Sequence, residues 1–313
     1  MLSLVIPVYK NEGSIPSLLQ AIEGLRQATE GDFEAVFVID GSPDRSYELL
    51  RDALPNWVFQ SQLILLSRNF GSFAAIRTGL QLAKGERFAV MAADLQEPPE
   101  LVLQMDKLLR ADEADVVVGS REGRMDPLLT RLPSQIFWSL YRRYVVAEVP
   151  EGGVDVFGCN KAFRDTLLTL DEQHTSLIAQ LFWLGFRRKH ITYVRQLRQH
   201  GKSAWTFKKK INYMMDSVFA FTDLPIRLLI RIGGTTALLA ALFGIVVGLA
   251  RLAGWIMVPG YAMTMAAIVF LGAVNLFGLG IVGSYAWRTY ENTKGRPLAI
   301  PMRVERFQSK EGN

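Results

Sequence analysis

The residues best suited to bind a ligand lie in five short polar segments, each at the end of an apolar run. The segments are 7–12, 40–44, 67–71, 94–99 and 119–121. They contain carboxylates and carboxamides, whose hard oxygens bind hydroxyl groups and divalent cations, and arginines, whose planar guanidinium pairs with phosphate. Turn and helix-capping chemistry explains any one segment, since Asp44 and Asn69 are residue types that cap helices. Five segments in the same position relative to the apolar runs favour a ligand site.

The apolar runs that must position these segments alternate with helical patterns. The runs cover 2–8, 35–39, 63–66, 88–93 and 116–118, and the helical patterns cover 15–27, 46–54, 73–84 and 99–109. Each run is too short for a helix and apolar on both faces, as buried parallel strands are. The alternation predicts an α/β fold with an open, doubly wound, mostly parallel sheet, in which ligands bind at the carboxyl ends of the strands.

Several cofactor and thiol chemistries are disfavoured because their signatures are missing. No Gly-x-Gly-x-x-Gly follows the first run, which argues against a dinucleotide cofactor, and no Gly-Lys-Ser/Thr P-loop is present. The single cysteine, Cys159, excludes an internal disulfide, gives weak support for a thiol enzyme or zinc site, and indicates a reducing compartment. The three histidines, His174, His190 and His200, are scattered and are interpreted as solvated or core side chains.

Two long apolar stretches predict transmembrane helices. Residues 232–250 and 252–287 carry no charge. The second stretch as one helix would be about 54 Å long against a hydrocarbon core of about 30 Å, so we expect a break at Pro259-Gly260. The predicted helices cover 232–256 and 262–287, and basic residues on both outer flanks predict that both termini are cytoplasmic. Two buried helices of a soluble core are the alternative. The N-terminus lacks a basic leader, so no signal peptide is expected.

A basic stretch precedes the apolar helices. Residues 187–231 contain eleven Lys or Arg and two Asp, whereas the whole chain has a net charge of only +5. Such a stretch could face nucleic acid, membrane phosphates or a phosphorylated substrate. Lysines 208–210 mingle with aromatic and aliphatic residues beside the apolar helices, which favours a membrane interface and disfavours nucleic acid. We therefore predict a cytoplasmic domain at 1–203, interface helices at 204–231, a transmembrane pair at 232–288 and a cytoplasmic tail at 289–313.

The polar segments carry motifs in a characteristic order. They read Val-Ile-Pro-Val-Tyr-x-Asn-Glu at 5–12, Asp-Gly-Ser-x-Asp at 40–44, Arg-Asn-x-Gly at 68–71, Asp-Leu-Gln-x-Pro-Pro-Glu at 94–100 and Gly-Ser-Arg at 119–121. Together they resemble family 2 glycosyltransferases, and more narrowly the polyprenyl-phosphate sugar transferases related to dolichol-phosphate mannose synthase and bacterial undecaprenyl-phosphate glucosyltransferases. The resemblance implies a Rossmann-like glycosyltransferase A-type domain.

The resemblance also implies roles for individual residues. Asp94 and Gln96 match the family's ligands for Mg²⁺ or Mn²⁺, whereas Arg121, Arg131 and Ser134 match the residues that bind the lipid phosphate. Asp155 matches a carboxylate that the family keeps near the sugar. The implied donor-binding residues are Pro7, Tyr9, Glu12, Val38, Asp40, Ala92, Ala93, Arg198 and Lys202.

The implied reaction is inverting transfer of a sugar from a nucleotide sugar to a polyprenyl phosphate on the cytoplasmic membrane face. No general base is required, because a phosphate monoester with a second pKa of about 6 is largely dianionic at neutral pH. The family also implies a possible homo-oligomer, and no nucleic-acid partner is expected.

Two departures from the family pattern leave alternatives open. The family usually has Asp-x-Asp-Leu-Gln at 92–96, but this chain has alanine at 92. It often has Ser-Lys in the later loop, whereas here Lys202 precedes Ser203. A catalytically silent membrane scaffold is therefore one alternative. Transfer to a polysaccharide is another, disfavoured because the chain lacks a Gln-x-x-Arg-Trp motif.

Overall fold

The described residues form one open, mixed sheet in the computed structural model, which describes residues 1–30, 32–121, 139, 141–150, 153–196, 207–254 and 260–308. The strands are β1 (Leu2–Val8), β2 (Phe33–Ile39), β3 (Gln60–Leu66), β4 (Arg87–Val90), β5 (Val116–Arg121), β6 (Val156–Asn160), β7 (Arg188–Tyr193) and β8 (Pro301–Phe307). Their order across the sheet is β7-β5-β6-β4-β1-β2-β3-β8. Only β6 and β8 run antiparallel to their neighbours. The predicted mostly parallel α/β sheet is confirmed.

Helices cover both faces of this sheet. Those that the structure delimits are α1 (Ile15–Ala28), α2 (Ser46–Ala53), α3 (Ser72–Leu82), α4 (Glu100–Arg110), α5 (Lys161–Leu168), α6 (Leu177–Trp183), α7 (Phe207–Phe221), α8 (Leu224–Leu252) and α9 (Tyr261–Thr293). Apolar residues of α1, α2 and α4 pack on one face, and those of α3, α5 and α6 pack on the other. Every residue of β2 is consequently buried, including Glu34, which lies outside the predicted apolar run 35–39.

Helix α3 approaches the sheet closely because Gly79 has no side chain. A Cβ atom at this position would lie 2.3 Å from Cγ1 of Val5 in β1. The contact holds α3 against the centre of the sheet, and its N-terminus therefore lies near the carboxyl ends of β1 and β2.

Three strands are absent from the predicted set, and the predicted ends of β4 and β5 are corrected. Strand β4 ends at Val90, so Ala92 and Ala93 lie in the following loop, and β5 continues to Arg121. Strands β7 and β8 lie at the two edges of the sheet, and each contains at least two charged residues. Strand β6 is short and has Gly158 at its centre. The two edge strands lack the apolar run that identifies a buried strand, and the buried apolar run of β6, residues 156–159, is short and interrupted by glycine.

The segment predicted as a tail, 289–313, contributes strand β8 to the sheet. It pairs antiparallel with β3, and the backbone N–H of Ser67 donates to the carbonyl of Ile300 at 3.0 Å. The hydroxyl of Tyr47 in α2 donates to Glu305. The chain therefore returns to the N-terminal sheet after its two long apolar helices.

Helices α8 and α9 are long and apolar enough to cross a membrane. Each contains a candidate span of 24 residues, Leu224–Val247 and Phe270–Thr293. None of the first span's assessed window is buried, so the described part of the chain does not enclose this helix in its own core. The helices extend beyond the predicted membrane segments, because α8 already begins at Leu224 and α9 continues to Thr293. The break between them includes Gly260, as predicted.

Asp115 lies just before β5 and links that strand to the start of β7 and the end of β6. Its substitution is expected to destabilise the fold. Its carboxylate accepts bonds from the backbone N–H of Arg187 (3.1 Å), the guanidinium of Arg187 (2.9 and 3.0 Å) and the amide of Asn160 (2.8 Å). The bonds from Arg187 lower the pKa of Asp115. We expect Asp115→Asn to lower the Tm in detergent by several degrees at pH 7, with exposed Asp52→Asn as the control.

The pH dependence of this difference follows from the direction of the shift. Because the folded-state pKa is depressed, the stabilisation is present above the unfolded pKa of about 3.9 and is lost as the pH falls through the folded value. The Tm difference between wild type and Asp115→Asn should therefore be constant from about pH 7 to pH 5 and shrink below about pH 4. Equal Tm values at pH 7 would contradict the stabilising role.

Candidate functional site

The loops after β1 and β2 form one wall of the site and hold each other through reciprocal hydrogen bonds. The backbone N–H of Glu12 donates to Asp44 at 3.1 Å, while the carboxylate of Glu12 accepts from the backbone N–H of Arg45 at 3.1 Å. The N–H of Lys10 donates to Ser42 at 2.8 Å. Lys10 itself has a φ of 58°, a strained value for a residue with a side chain. The predicted donor residue Glu12 therefore organises this wall.

Asp40, at the end of β2, anchors the loop that leads into α3. Its carboxylate accepts from the backbone N–H groups of Phe70 (2.7 Å) and Gly71 (2.9 Å), and only 2% of the residue is exposed. The next residue, Gly41, has a φ of 56°, and a Cβ there would lie 2.3 Å from the backbone of Arg68. Asp40 therefore sets the shape of the donor-side wall from within the protein.

The other predicted donor residues differ in how far they face the cleft. Pro7 and Tyr9 are partly exposed at the end of β1, and Ala92 is partly exposed after β4. The side chains of Val38 and Ala93 are buried in the hydrophobic core. Arg198, Lys202, Arg131 and Ser134 lie outside the described residues.

The loop after β4 carries the predicted metal ligands. One carboxylate oxygen of Asp94 accepts from the backbone N–H of Gln96 at 3.3 Å, around a turn in which Leu95 has a φ of 53°. The side-chain oxygen of Gln96 accepts a hydrogen bond from Arg195, and its amide nitrogen donates to the carbonyl of Gln196 at 3.4 Å. The loop after β7 therefore holds Gln96 in place, in a strained turn of the kind that occurs at functional sites.

Asp155 and Arg121 form a paired group at the ends of β6 and β5. The guanidinium of Arg121 donates through Nε to one carboxylate oxygen of Asp155 and through Nη2 to the other, the latter at 2.6 Å. The hydroxyl of Tyr193 donates to the same carboxylate at 2.7 Å. Burial, with the nearby charge of Asp155, raises the pKa of Tyr193, so this hydroxyl stays protonated. Arg121 is thereby fixed in one orientation.

Strand β6 brings Asp155 to this edge because it runs antiparallel to β4 and β5. An antiparallel strand begins where its neighbours end. Asp155 directly precedes β6, so it lies between the loop that carries Asp94 and the end of β5 that carries Arg121. The predicted ligand-binding edge therefore brings together three of the proposed site residues.

Glu97 interacts electrostatically with both Asp94 and the pair of Arg121 and Asp155. No role was predicted for it from the sequence. It is 3% exposed, and burial followed by the charges of Asp155 and Asp94 raises its pKa to about 7. The charges of Arg195 and Arg121 act in the opposite direction. Tyr193 and Arg195 were also missed, because the polar strand β7 gave no signal. The sequence does carry a signal for Glu97, because it is an acid within the predicted polar segment 94–99, at the variable position of Asp-Leu-Gln-x-Pro-Pro-Glu.

The chemistry of the carboxylates at this edge fits a hard divalent cation. Within the described ranges, no group of three or more His, Cys, Asp and Glu side chains could hold a metal ion by itself. Asp94 and Glu97 nevertheless supply carboxylate oxygens, and Oε2 of Glu97 is buried without a hydrogen-bond partner among the residues that the structure describes. Mg²⁺ commonly takes one or two carboxylates together with water and phosphate oxygens. The residues therefore fit an incomplete site that a phosphorylated ligand completes.

Comparison with known proteins identifies the fold and the enzyme class. The family model described as glycosyl transferase family 2 matches residues 3–169, which include β1 to β6 and the paired group of Arg121 and Asp155. The chain belongs to glycosyl transferase family 2. The match therefore confirms the family that the order of the motifs in this glycosyltransferase suggests.

Curated relatives resemble this glycosyltransferase over nearly its whole length. A glycosyltransferase of Synechocystis sp. is 30% identical over 300 residues, covering 96% of this chain and 94% of the relative. The undecaprenyl-phosphate 4-deoxy-4-formamido-L-arabinose transferase of Pseudomonas aeruginosa is 33% identical over 312 residues, covering 98% and 91%. The similarity therefore includes the two apolar helices as well as the glycosyltransferase domain.

A solved structure supports the fold alone. Glucosyl-3-phosphoglycerate synthase from Mycobacterium tuberculosis matches with a TM-score of 0.50 and 18% identity, covering 70% of this chain and 78% of that chain. The predicted glycosyltransferase A-type sheet is confirmed.

Proposed function

We propose that this glycosyltransferase moves a sugar from a nucleotide sugar to the phosphate of a polyprenyl phosphate at the cytoplasmic face of a membrane. The observation that carries the proposal is a fixed arginine beside a carboxylate-bearing loop in a chain that also has two long apolar helices. The name of the Pseudomonas aeruginosa relative supports a lipid phosphate acceptor.

Arg121 is suited to bind the acceptor phosphate. Its Nε and Nη2 are bound to Asp155, and within the described part of the chain Nη1 has no hydrogen-bond partner. A phosphate can therefore accept from Nη1 while Asp155 holds the guanidinium plane. This arrangement aligns the acceptor without requiring it to order a flexible side chain.

The proposed transfer step needs no general base from the protein. A dianionic phosphate oxygen of the acceptor forms a bond to the anomeric carbon, and the bond from that carbon to the donor diphosphate breaks with its electron pair on the leaving nucleoside diphosphate. Attack from the face opposite the leaving group inverts the anomeric configuration. A divalent cation, when bound, would neutralise charge on the leaving diphosphate. The protein's own residues hold the two phosphates at the edge shared by β4, β5 and β6.

The path of the chain supports the same membrane side for the glycosyltransferase domain and the C-terminal strand. The chain leaves the domain before α8 and returns to the same sheet in β8 after α9. Two crossings bring a chain back to its starting side. The basic residues before α8 and after α9 favour the cytoplasm for that side.

A donor panel tests the proposed reaction. Purified full-length protein is incubated with UDP- and GDP-sugars, undecaprenyl phosphate and Mg²⁺ or Mn²⁺, and sugar transferred to the lipid is measured. We expect a phosphate-linked lipid product with at least one donor and none with undecaprenol, which lacks the phosphate. Silence with every donor would favour the scaffold alternative, and transfer only to a polysaccharide would replace the proposed acceptor.

Ala92→Asp tests whether the missing family carboxylate limits cation binding. The position is partly exposed at the start of the metal loop, and each added ligand charge strengthens binding of a hard cation. We expect tighter Mn²⁺ binding by calorimetry and a lower Mn²⁺ requirement for turnover, while wild type is already active. An Ala92→Asn variant controls for side-chain size, and unchanged or weaker Mn²⁺ binding by Ala92→Asp would contradict the expectation.

A further inference from the structure

Glu97 is an acid in an environment that does not satisfy it. The residue is 3% exposed, and within the described residues its Oε2 has no hydrogen-bond partner. A buried carboxylate oxygen without a partner is destabilising, and such groups in native proteins are usually explained by a ligand or a catalytic role. Packing alone therefore does not account for a buried carboxylate at position 97.

Neither neighbouring arginine satisfies this oxygen. Arg121 donates to Asp155, and Arg195 donates to Gln96. Both arginines act on Glu97 only through their charge, and the carboxylates of Asp94 and Asp155 act on it with the opposite sign. Among the described residues, Glu97 therefore has two carboxylates acting on it through their charge, and no hydrogen-bond donor reaches its Oε2.

A hard cation held by the loop carboxylates would give the buried Oε2 of Glu97 the partner that the described residues do not provide. Glu97 follows Asp94 by three residues in the turn around Leu95, and the two side chains interact electrostatically. This loop has alanine at 92, so in this chain Asp94 has no carboxylate two residues before it. A carboxylate from Glu97 offers the second negative oxygen that a dication prefers.

We propose that Glu97 is a ligand of the divalent cation beside Asp94 and supplies the second carboxylate that this loop lacks at Ala92. The inference rests on the proposed function in one respect, because the diphosphate of the donor would complete the cation's coordination. It names a role for Glu97 in cation binding that is separate from the identity of the sugar or the acceptor.

Binding of Mn²⁺ to the full-length protein tests this role directly. Free Mn²⁺ is measured by electron paramagnetic resonance in titrations with and without UDP, for wild type, Glu97→Gln and Glu100→Gln. Glutamine keeps the size of the side chain and removes its charge. Glu100 is an exposed acid in the first turn of α4 and serves as the matched control. We expect Glu97→Gln to weaken Mn²⁺ binding at least about tenfold in the presence of UDP, and Glu100→Gln to bind like wild type.

The Tm gives a second readout that a structural role would not move. Mn²⁺ with UDP should raise the Tm of wild type and of Glu100→Gln, because a ligand stabilises the state that binds it. The rise should be smaller for Glu97→Gln, even if that variant is as stable as wild type without Mn²⁺. If Glu97→Gln does not fold, Glu97→Asp, which keeps the charge but shortens the reach, should still bind Mn²⁺ measurably more weakly than wild type.

The outcomes separate this inference from the proposed function. Wild-type affinity for Mn²⁺ in Glu97→Gln, or in Glu97→Asp should Glu97→Gln not fold, would overturn the inference even if wild type transfers sugar to undecaprenyl phosphate. An inactive wild type whose Mn²⁺ binding depends on Glu97 would instead overturn the proposed function and keep the inference.

Discussion

Replacing Asp94 with asparagine is expected to reduce turnover at least about a hundredfold while leaving the protein folded. Asp94 is half-buried in the loop after β4, and one of its carboxylate oxygens accepts a hydrogen bond of 3.3 Å from the backbone N–H of Gln96. The substitution keeps the size of the side chain and removes a negative charge from the place where a divalent cation fits. Transfer to undecaprenyl phosphate is measured with the best donor of the panel, across a range of Mn²⁺ concentrations.

The control for this loss is Glu100→Gln, which removes a charge from the exposed start of α4 six residues further along the chain. We expect that variant to keep wild-type activity, and both variants to keep the wild-type Tm within a few degrees. Near-normal turnover by Asp94→Asn would remove Asp94 from the site. A large fall in its Tm would instead make the carboxylate structural.

Replacing Arg121 with alanine is expected to lower kcat/KM for the lipid phosphate about 10- to 100-fold while leaving the KM for the nucleotide sugar nearly unchanged. The reason is the geometry of the pair with Asp155, which orients the guanidinium through two bonds and leaves Nη1 for the acceptor. Arg121→Lys should recover little, because an ammonium group cannot bind a carboxylate and a phosphate with the planar fork of arginine. Initial rates with each substrate varied in turn give both constants.

Asp155→Asn separates positioning from direct binding. If Asp155 acts by orienting Arg121, its loss should raise the KM for the lipid phosphate less than the loss of Arg121 does. The double variant should then be no worse than Arg121→Ala alone. Equal loss for both substrates in Arg121→Ala would move Arg121 to the donor side, and additive losses in the double variant would give Asp155 an independent role.

Local patterns in the sequence are enough to predict the central strands and the helices between them. The apolar runs that become β1, β2 and β3 are buried on both faces, and such runs have few alternatives to a central strand. The same argument predicts that ligands meet the protein at the carboxyl ends of these strands. The apolar length of α8 and α9 is likewise a property of the sequence alone, although their starts and ends differ by several residues from the prediction.

The remaining strands depend on partners that no local pattern specifies. Edge strands β7 and β8 mix charged and apolar residues, and each pairs with only one neighbouring strand, whereas β6 is short and contains glycine. These strands form by pairing with strands that are distant in the sequence. The hydrogen bonds that stabilise them therefore exist only once the sheet is assembled. A strand without its own apolar run cannot be recognised before its neighbours are known.

The composition of the site divides in the same way. Motif order identifies Asp94 and Arg121 from the sequence, because each follows an apolar run at a predictable edge. Only the tertiary structure pairs Arg121 with Asp155, because the pairing requires β6 to enter the sheet in reverse between β4 and β5. Only the tertiary structure reveals Glu97 as a buried acid, because burial is a property of everything packed around a side chain and not of its neighbours along the chain.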